Sequence, residues 1–286
     1  MAGDSPVPLG ADSLMWDIAG ELRAMFMIPS TLLLQVMHPM VGAAVQEHSV
    51  FRSDPWGRAS RTSNAMLRYI YGGELAVEEG LRLRRMHRDF HGVDSAGRSY
   101  HALNGAAYAW VNATLFERYL TACALFGRGL SAQQQRRLYA ESVQLGRLLR
   151  VPDREMPATL AEFHVYFANM LSTELECNDA TRQLLADIRR PPAPPMLATV
   201  SALWRVPSAP LGTAAHFITA GTLPPRAREL LGLRWNAVDQ RRFDRFVAGV
   251  RRTVPLLPRR LRYVPAVLRI KMRAAQTEGV NGPPAW

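Results

Sequence analysis

Arg58, Arg61 and Thr62 recur at spacings of three and four, which on a helix brings three polar side chains to one face. A guanidinium pair beside a hydroxyl can bind an anion or steer a polar diatomic molecule, although the same spacing also describes an ordinary solvated face. His87 and His91, in MHRDFHG at 86–92, stand one helical turn apart. Either imidazole can ligate a metal or a haem iron through a neutral nitrogen. Either can equally be a hydrogen-bonded histidine favoured by the dipole at a helix C-terminus. A zinc or non-haem iron centre needs further ligands, and neither a His-Glu-x-x-His nor a paired Glu-x-x-His pattern occurs. With no Gly-rich phosphate loop behind a strand and no Gly-x-Ser-x-Gly elbow, nucleotide and serine-hydrolase chemistry have no anchor.

Those residues must be carried by helices. Capping and breaking signals recur along the chain, whereas alternating β-branched runs do not, so the sequence predicts an all-α fold. Asp12 or Ser13 caps a helix to about Met27, and Pro29 and Pro39 each suit a first turn. Helices follow over 57–71, ended by Gly72 and Gly73, and over 74–91, with Gly92 at the C-cap position. Asn104 opens a long apolar helix to about 126, and Ser131 with Gln134 forms a capping box for the next, to about 149. Helices over 157–176 and 179–190 lead to Pro191-Pro192-Ala193-Pro194-Pro195, an extended crossing. Beyond it, seven prolines from Pro207 to Pro265 predict short interrupted helices packed on the first part. The expectation is a single α-helical bundle over 1–286.

The formal charge of +11 comes from 34 Arg and one Lys, Lys271. It reads as a basic solvated face, because no basic block alternates with aromatics as a nucleic-acid binder needs. No nucleic-acid partner is expected, while peripheral attraction to a membrane stays open. Cys123 and Cys177 are too few and too far apart for a disulfide framework. Met1 to Gly10 lacks the charged and apolar regions of a secretory signal, so a cytoplasmic setting is expected. The stretch 24–46 has no charged residue and is long enough for a bilayer at ~20 residues. Pro29 and Pro39 divide it, which suits consecutive buried helices better.

The run LLLQVMHPMVGAAVQEHSVFRSDPWGRASRT at 32–62 resembles the N-terminal signature of the rubber oxygenase (latex-clearing protein) and mpaB-type oxygenase catalytic domain. The similarity continues through MHRDFHG, through Tyr100 ahead of WVNATL at 110–115, and through YAESVQLGRLLRVP at 139–152. It extends to MPATLAEFHVYFANML at 156–171 and LPPRARELLGLRW at 223–235. The resemblance implies a haem-b protein with a globin-like helical core around a haem pocket, whose better-known relatives cleave isoprenoid double bonds with dioxygen. His87 matches the histidine that ligates the iron. Arg58 and Thr62 match the distal polar pair of an Arg-x-x-Lys-Thr pattern, and His38 and His48 match family positions with expected hydrogen-bonding roles.

Two departures matter. Arg61 stands where rubber-cleaving members carry a lysine able to close the sixth iron site, and a guanidinium has no lone pair to do so. That leaves the position to water or dioxygen, or turns Arg61 towards a haem propionate. Asn112 replaces a histidine found in many relatives, with an expected effect around the pocket, so rubber itself is not assumed as substrate. The resulting expectation is a haem-b-dependent oxygenase with a small apolar, isoprenoid- or lipid-like substrate. A non-catalytic haem or lipid carrier or gas sensor is the alternative, followed by a helical binding protein whose ligands have fallen out of use.

Overall fold

The computed structural model describes residues 6–48, 54–196 and 201–278. The fold is all-α, and among the described residues the one sheet is a two-stranded antiparallel hairpin. The helix predicted over 13–27 is instead two short pieces, α1 (Leu14–Ile18), capped by Ser13, and α2 (Leu22–Met25). The break has a packing cause. Gly20 lies where Val267 and the Tyr71 hydroxyl leave no room for a side chain. Glu21 is extended and turns its carboxylate onto the Arg23 amide (3.2 Å) and guanidinium (2.8 Å), an ion pair almost wholly removed from solvent. Two charges buried together hold this path, since separating them would strand one in the interior.

The uncharged stretch becomes α3 (Ile28–Met37) and α4 (Pro39–His48), which meet at 103°. Pro39 opens α4 where a first turn needs no amide donor. Both pack on α10 (Asp179–Arg189). Among the described residues no single helix is long and apolar enough to cross a membrane.

Next come α5 (Pro55–Tyr71) and α6 (Glu74–His87), joined through Gly72 and Gly73 and packed on each other. Gly73 takes a φ of 53°, which a glycine adopts without strain. Asp54 caps α5 by accepting from the Gly57 amide at 2.9 Å, with Pro55 in the first turn. α6 stops at His87, four residues short of the predicted end. The segment beyond is strand β1 (His91–Val93), which pairs with β2 (Ser99–His101). The turn chemistry of VDSAGRS wins over helix propagation. The Asp94 carboxylate accepts from the amides of Ala96 (2.9 Å) and Arg98 (2.8 Å), and Gly97 takes a φ of 78°.

The centre of the molecule is α7 (Gly105–Phe126), capped by Asn104 and packed against α2, α3 and α8 (Ala132–Leu148). Trp110, Phe116 and Phe126 on α7 are fully buried. The expected capping box of Ser131 and Gln134 opens α8. After α9 (Leu160–Asn169) a π-helical turn, Met170–Glu174, completes the helix predicted to 176. Pro207 and Pro210 do not interrupt α11 (Ser201–Thr222), contrary to expectation. Val206, whose carbonyl loses its amide partner to Pro210, is 79% exposed, so water can satisfy it. The later helices are α12 (Pro225–Leu230), α13 (Ala237–Thr253), α14 (Arg259–Arg262) and α15 (Pro265–Glu278). Of these, α13 packs on α7 and α11, α14 on α2, and α15 on α5.

Gly80 sets the seat of α6. It presses on the backbone carbonyl of Leu148 at the end of α8, where any Cβ would collide with main chain. Gly80→Ala is therefore expected to push α6 off α8 and to lower stability by about 1–3 kcal/mol, the usual cost of overpacking. Chemical denaturation of the variant beside the parent checks this.

Candidate functional site

The α5–α6 hairpin positions the candidate residues. His87 is fourteen residues past Gly73, and Arg58 is fourteen before Gly72. Arg61 and Thr62 follow Arg58 within about one helical pitch, roughly 6 Å along the axis. All four thus lie in the parts of α5 and α6 remote from the Gly72-Gly73 connection.

The two ends of α5 differ sharply. Tyr69, Ile70 and Tyr71 are buried, with the Trp16 indole donating to the Ile70 carbonyl at 2.7 Å and the Tyr69 hydroxyl donating to the Leu145 carbonyl. Residues 59–64 are all exposed, more than a full turn with no buried position. A helix laid on a core normally buries a stripe along its length, so this part of α5 has an uncovered face. Arg58 is half-buried, and loss of solvent together with the nearby Arg61 charge pulls its guanidinium below the usual arginine value. Arg61 is turned away to Asp54 at 3.0 Å. Thr62 is exposed.

On α6, His87 places Nδ1 2.8 Å from the Leu83 carbonyl, one turn back. A carbonyl oxygen can only accept, so Nδ1 is the nitrogen that carries the proton. The Tyr108 hydroxyl oxygen, 3.0 Å from the same nitrogen, accepts a share of that proton. Neither contact engages Nε2, which keeps its lone pair. Burial first, then the Arg82 charge, hold the His87 pKa below its usual 6.5, outweighing the opposing effect of the Leu83 hydrogen bond. The ring is thus a neutral imidazole whose Nε2 has no partner among the described residues. Phe90 and Tyr108 meet it edge-on at 5.4 and 6.0 Å and fix its plane.

Around this ring the structure gathers residues that spacing alone did not indicate. Tyr108, from the first turns of α7, is one, and burial pushes its hydroxyl up to about 12. Arg84 lies 5.9 Å from the Tyr108 ring and donates to the Leu149 carbonyl at 3.0 Å, tying the last turn of α6 to the end of α8. Beyond Phe90, His48 stacks on that ring at 4.7 Å and lies 3.0 Å from the Tyr100 hydroxyl, which itself donates to Glu47. The hydrogen bonding expected of His48 is present. His38 differs: it is buried, but its Nδ1 has no partner. His91 is not on a helix face with His87, because β1 carries it to within 6.0 Å of His101. Asn112 is a clamp between α7 and α8, donating to the Ser142 carbonyl at 3.0 Å.

A cavity of about 350 Å³ opens next to Tyr108, lined by Arg84, Asn104, Arg150 and Arg154 among others. Its polar wall does not include His87. Among the described residues no three His, Cys, Asp or Glu side chains gather into a metal cluster. His87 is accordingly a lone nitrogen donor. A single imidazole nitrogen is the donor that a tetrapyrrole iron would take from a protein.

Residues 16–252 match the family described as ER-bound oxygenase mpaB/B'/Rubber oxygenase, catalytic domain. The chain belongs to this family. The mpaB/rubber oxygenase domain spans the α5–α6 hairpin and every residue named above around His87. Among curated proteins, one uncharacterised protein of Mycobacterium tuberculosis and one of Mycobacterium bovis are each 24% identical over 241 residues. That is 82% of this chain and 91% of theirs. No solved structure is significantly similar to it. Membership supports a general oxygenase role for this mpaB/rubber oxygenase domain.

The protonation of His87 is open to direct measurement. Because its folded pKa lies below 6.5, the unfolded chain takes up the proton first as the pH falls. The ring's contribution to stability is then present above pH 6.5 and is lost as the pH drops through the folded value. Histidine-resolved NMR titration, assigned with His87→Gln, is expected to show a midpoint below 6.5 and the proton on Nδ1 at neutral pH.

Proposed function

We propose that the protein is a haem-b-dependent oxygenase that acts with dioxygen on a small apolar molecule of isoprenoid or lipid type. The observation that carries this is the free Nε2 of a neutral His87 within a rubber oxygenase/mpaB-type domain. When bound, haem b supplies the iron redox chemistry that activates dioxygen. His87 would hold the iron through Nε2. The Leu83 carbonyl, by taking the Nδ1 proton, fixes the ring's orientation and strengthens Nε2 as a donor, as outer partners of ligating histidines do. Tyr108 limits the ring's rotation from the other side.

Arg58 and Thr62, on the first turns of α5, would offer guanidinium and hydroxyl donors to dioxygen. Arg61 contributes no ligand. Its guanidinium has no lone pair to offer and is held by Asp54.

A pyridine haemochrome assay on the full chain, purified with hemin present, is expected to show stoichiometric haem b, and added acyclic isoprenoids are expected to raise dioxygen consumption. Haem uptake without dioxygen consumption would instead assign a carrier or sensor. A folded protein that takes up no hemin would refute the cofactor. Arg61→Lys restores an amine with a lone pair and is expected to shift the resting spectrum towards that of an iron with two strong nitrogen ligands. An unchanged spectrum would place Arg61 away from the iron.

A further inference from the structure

The charge of +11 is not spread over the chain. Residues 224–278 hold fourteen of the 35 basic side chains and four of the 24 acidic ones, a net of +10, and all other residues together come to +1. The densest part is the corner RRTVPLLPRRLR at 251–262, which leads from the end of α13 through a 3₁₀ turn, Val254–Leu256, into the single turn of α14. Its two anchors are buried, Val254 inside the corner and Tyr263 just after it. Pro255 and Pro258 restrict the backbone between them. Arg251 fixes the corner to the core by donating to the Leu125 carbonyl at 2.6 Å.

What this rigid corner presents outward is unusual for a surface in water alone. Leu256 is 80% exposed and Leu261 57% exposed. Around them stand Arg252, Arg259 and Arg260, all exposed and with no carboxylate partner among the described residues. Uncompensated arginines repel one another, and bare leucines leave apolar area in water. Neither feature helps the corner to pack. An anionic bilayer relieves both, because lipid phosphates take guanidinium groups through paired hydrogen bonds while the leucines enter the boundary between headgroups and acyl chains. A nucleic-acid duplex would use the arginines and leave the leucines in water.

We propose that the α13–α14 corner, residues 251–262, is a docking surface for anionic phospholipid bilayers. It does not depend on haem, and it would bring the chain to the phase in which an apolar molecule dissolves.

Co-sedimentation of the full chain with phosphatidylcholine vesicles, with and without phosphatidylglycerol, tests this. The expected result is binding that requires phosphatidylglycerol and weakens as salt is raised. Each arginine near such a surface contributes roughly five-fold in partition, so R252Q/R259Q/R260Q should lower binding by about 100-fold. L256S/L261S should lower it by at least about ten-fold at unchanged charge. Thermal unfolding followed by circular dichroism confirms that these exposed substitutions leave the fold intact, and single replacements serve if the triple variant is unstable. Equal binding to pure phosphatidylcholine, or anionic binding that neither variant weakens, would overturn the proposal. So would retention on duplex DNA that exceeds vesicle binding and ignores the leucines, which would make the corner a nucleic-acid surface.

Discussion

The carbonyl of Leu83 can do one thing for the ring beside it: accept a proton from Nδ1. That constraint turns His87 from a histidine of undefined state into a neutral imidazole whose other nitrogen is available. Everything argued for the site depends on it, because an imidazolium, or a ring with its proton on Nε2, has no electron pair to offer from that position. Burial supports the same state by disfavouring charge. The scaffold's task is then narrow: hold the last turn of α6 helical and keep the ring's plane fixed.

The packing accomplishes this with close backbone contacts at some distance from the ring. Gly80 allows α6 to lie directly against the end of α8, and Arg84 pins the final turn to Leu149. Gly72 and Gly73 connect α5 to α6. The C-terminal half of α5 is clamped by Trp16 and Tyr69, while its start is held by the Asp54 cap, the Arg61 ion pair and the Trp56 indole, which donates to the Ala193 carbonyl at 2.8 Å. α5 is thus held at both ends, with residues 59–64 exposed between.

Much of this was legible in the sequence. Caps at Asn104 and Ser131, the Gly72-Gly73 stop, and Pro39 at a helix start are local rules that the tertiary fold had no reason to override. The errors arose where a longer-range or competing local interaction won. Nothing near Gly20 in sequence announces that Val267 and Tyr71 will crowd it, so one predicted helix became two. The helix predicted to His91 gives way to the hydrogen bonds of Asp94, three residues before Gly97 in the same turn. As a result the His87–His91 pair dissolved, and His87 alone remained. Pro207 and Pro210 looked like breaks because their cost depends on solvent reaching the orphaned carbonyl, which spacing does not reveal. Tyr108 was not singled out at all, because its partnership with His87 spans two helices. An aromatic at the start of an apolar helix ordinarily reads as core.

The proposed role of the neutral His87 imidazole is to hold haem iron through Nε2. Hemin titration of His87→Gly with and without free imidazole, followed by absorption spectroscopy, measures it most directly. The variant is expected to lose the parent's spectrum and tight binding, and imidazole filling the vacated space is expected to restore both. Parent-like affinity and an identical spectrum in the variant without imidazole would rule out that role.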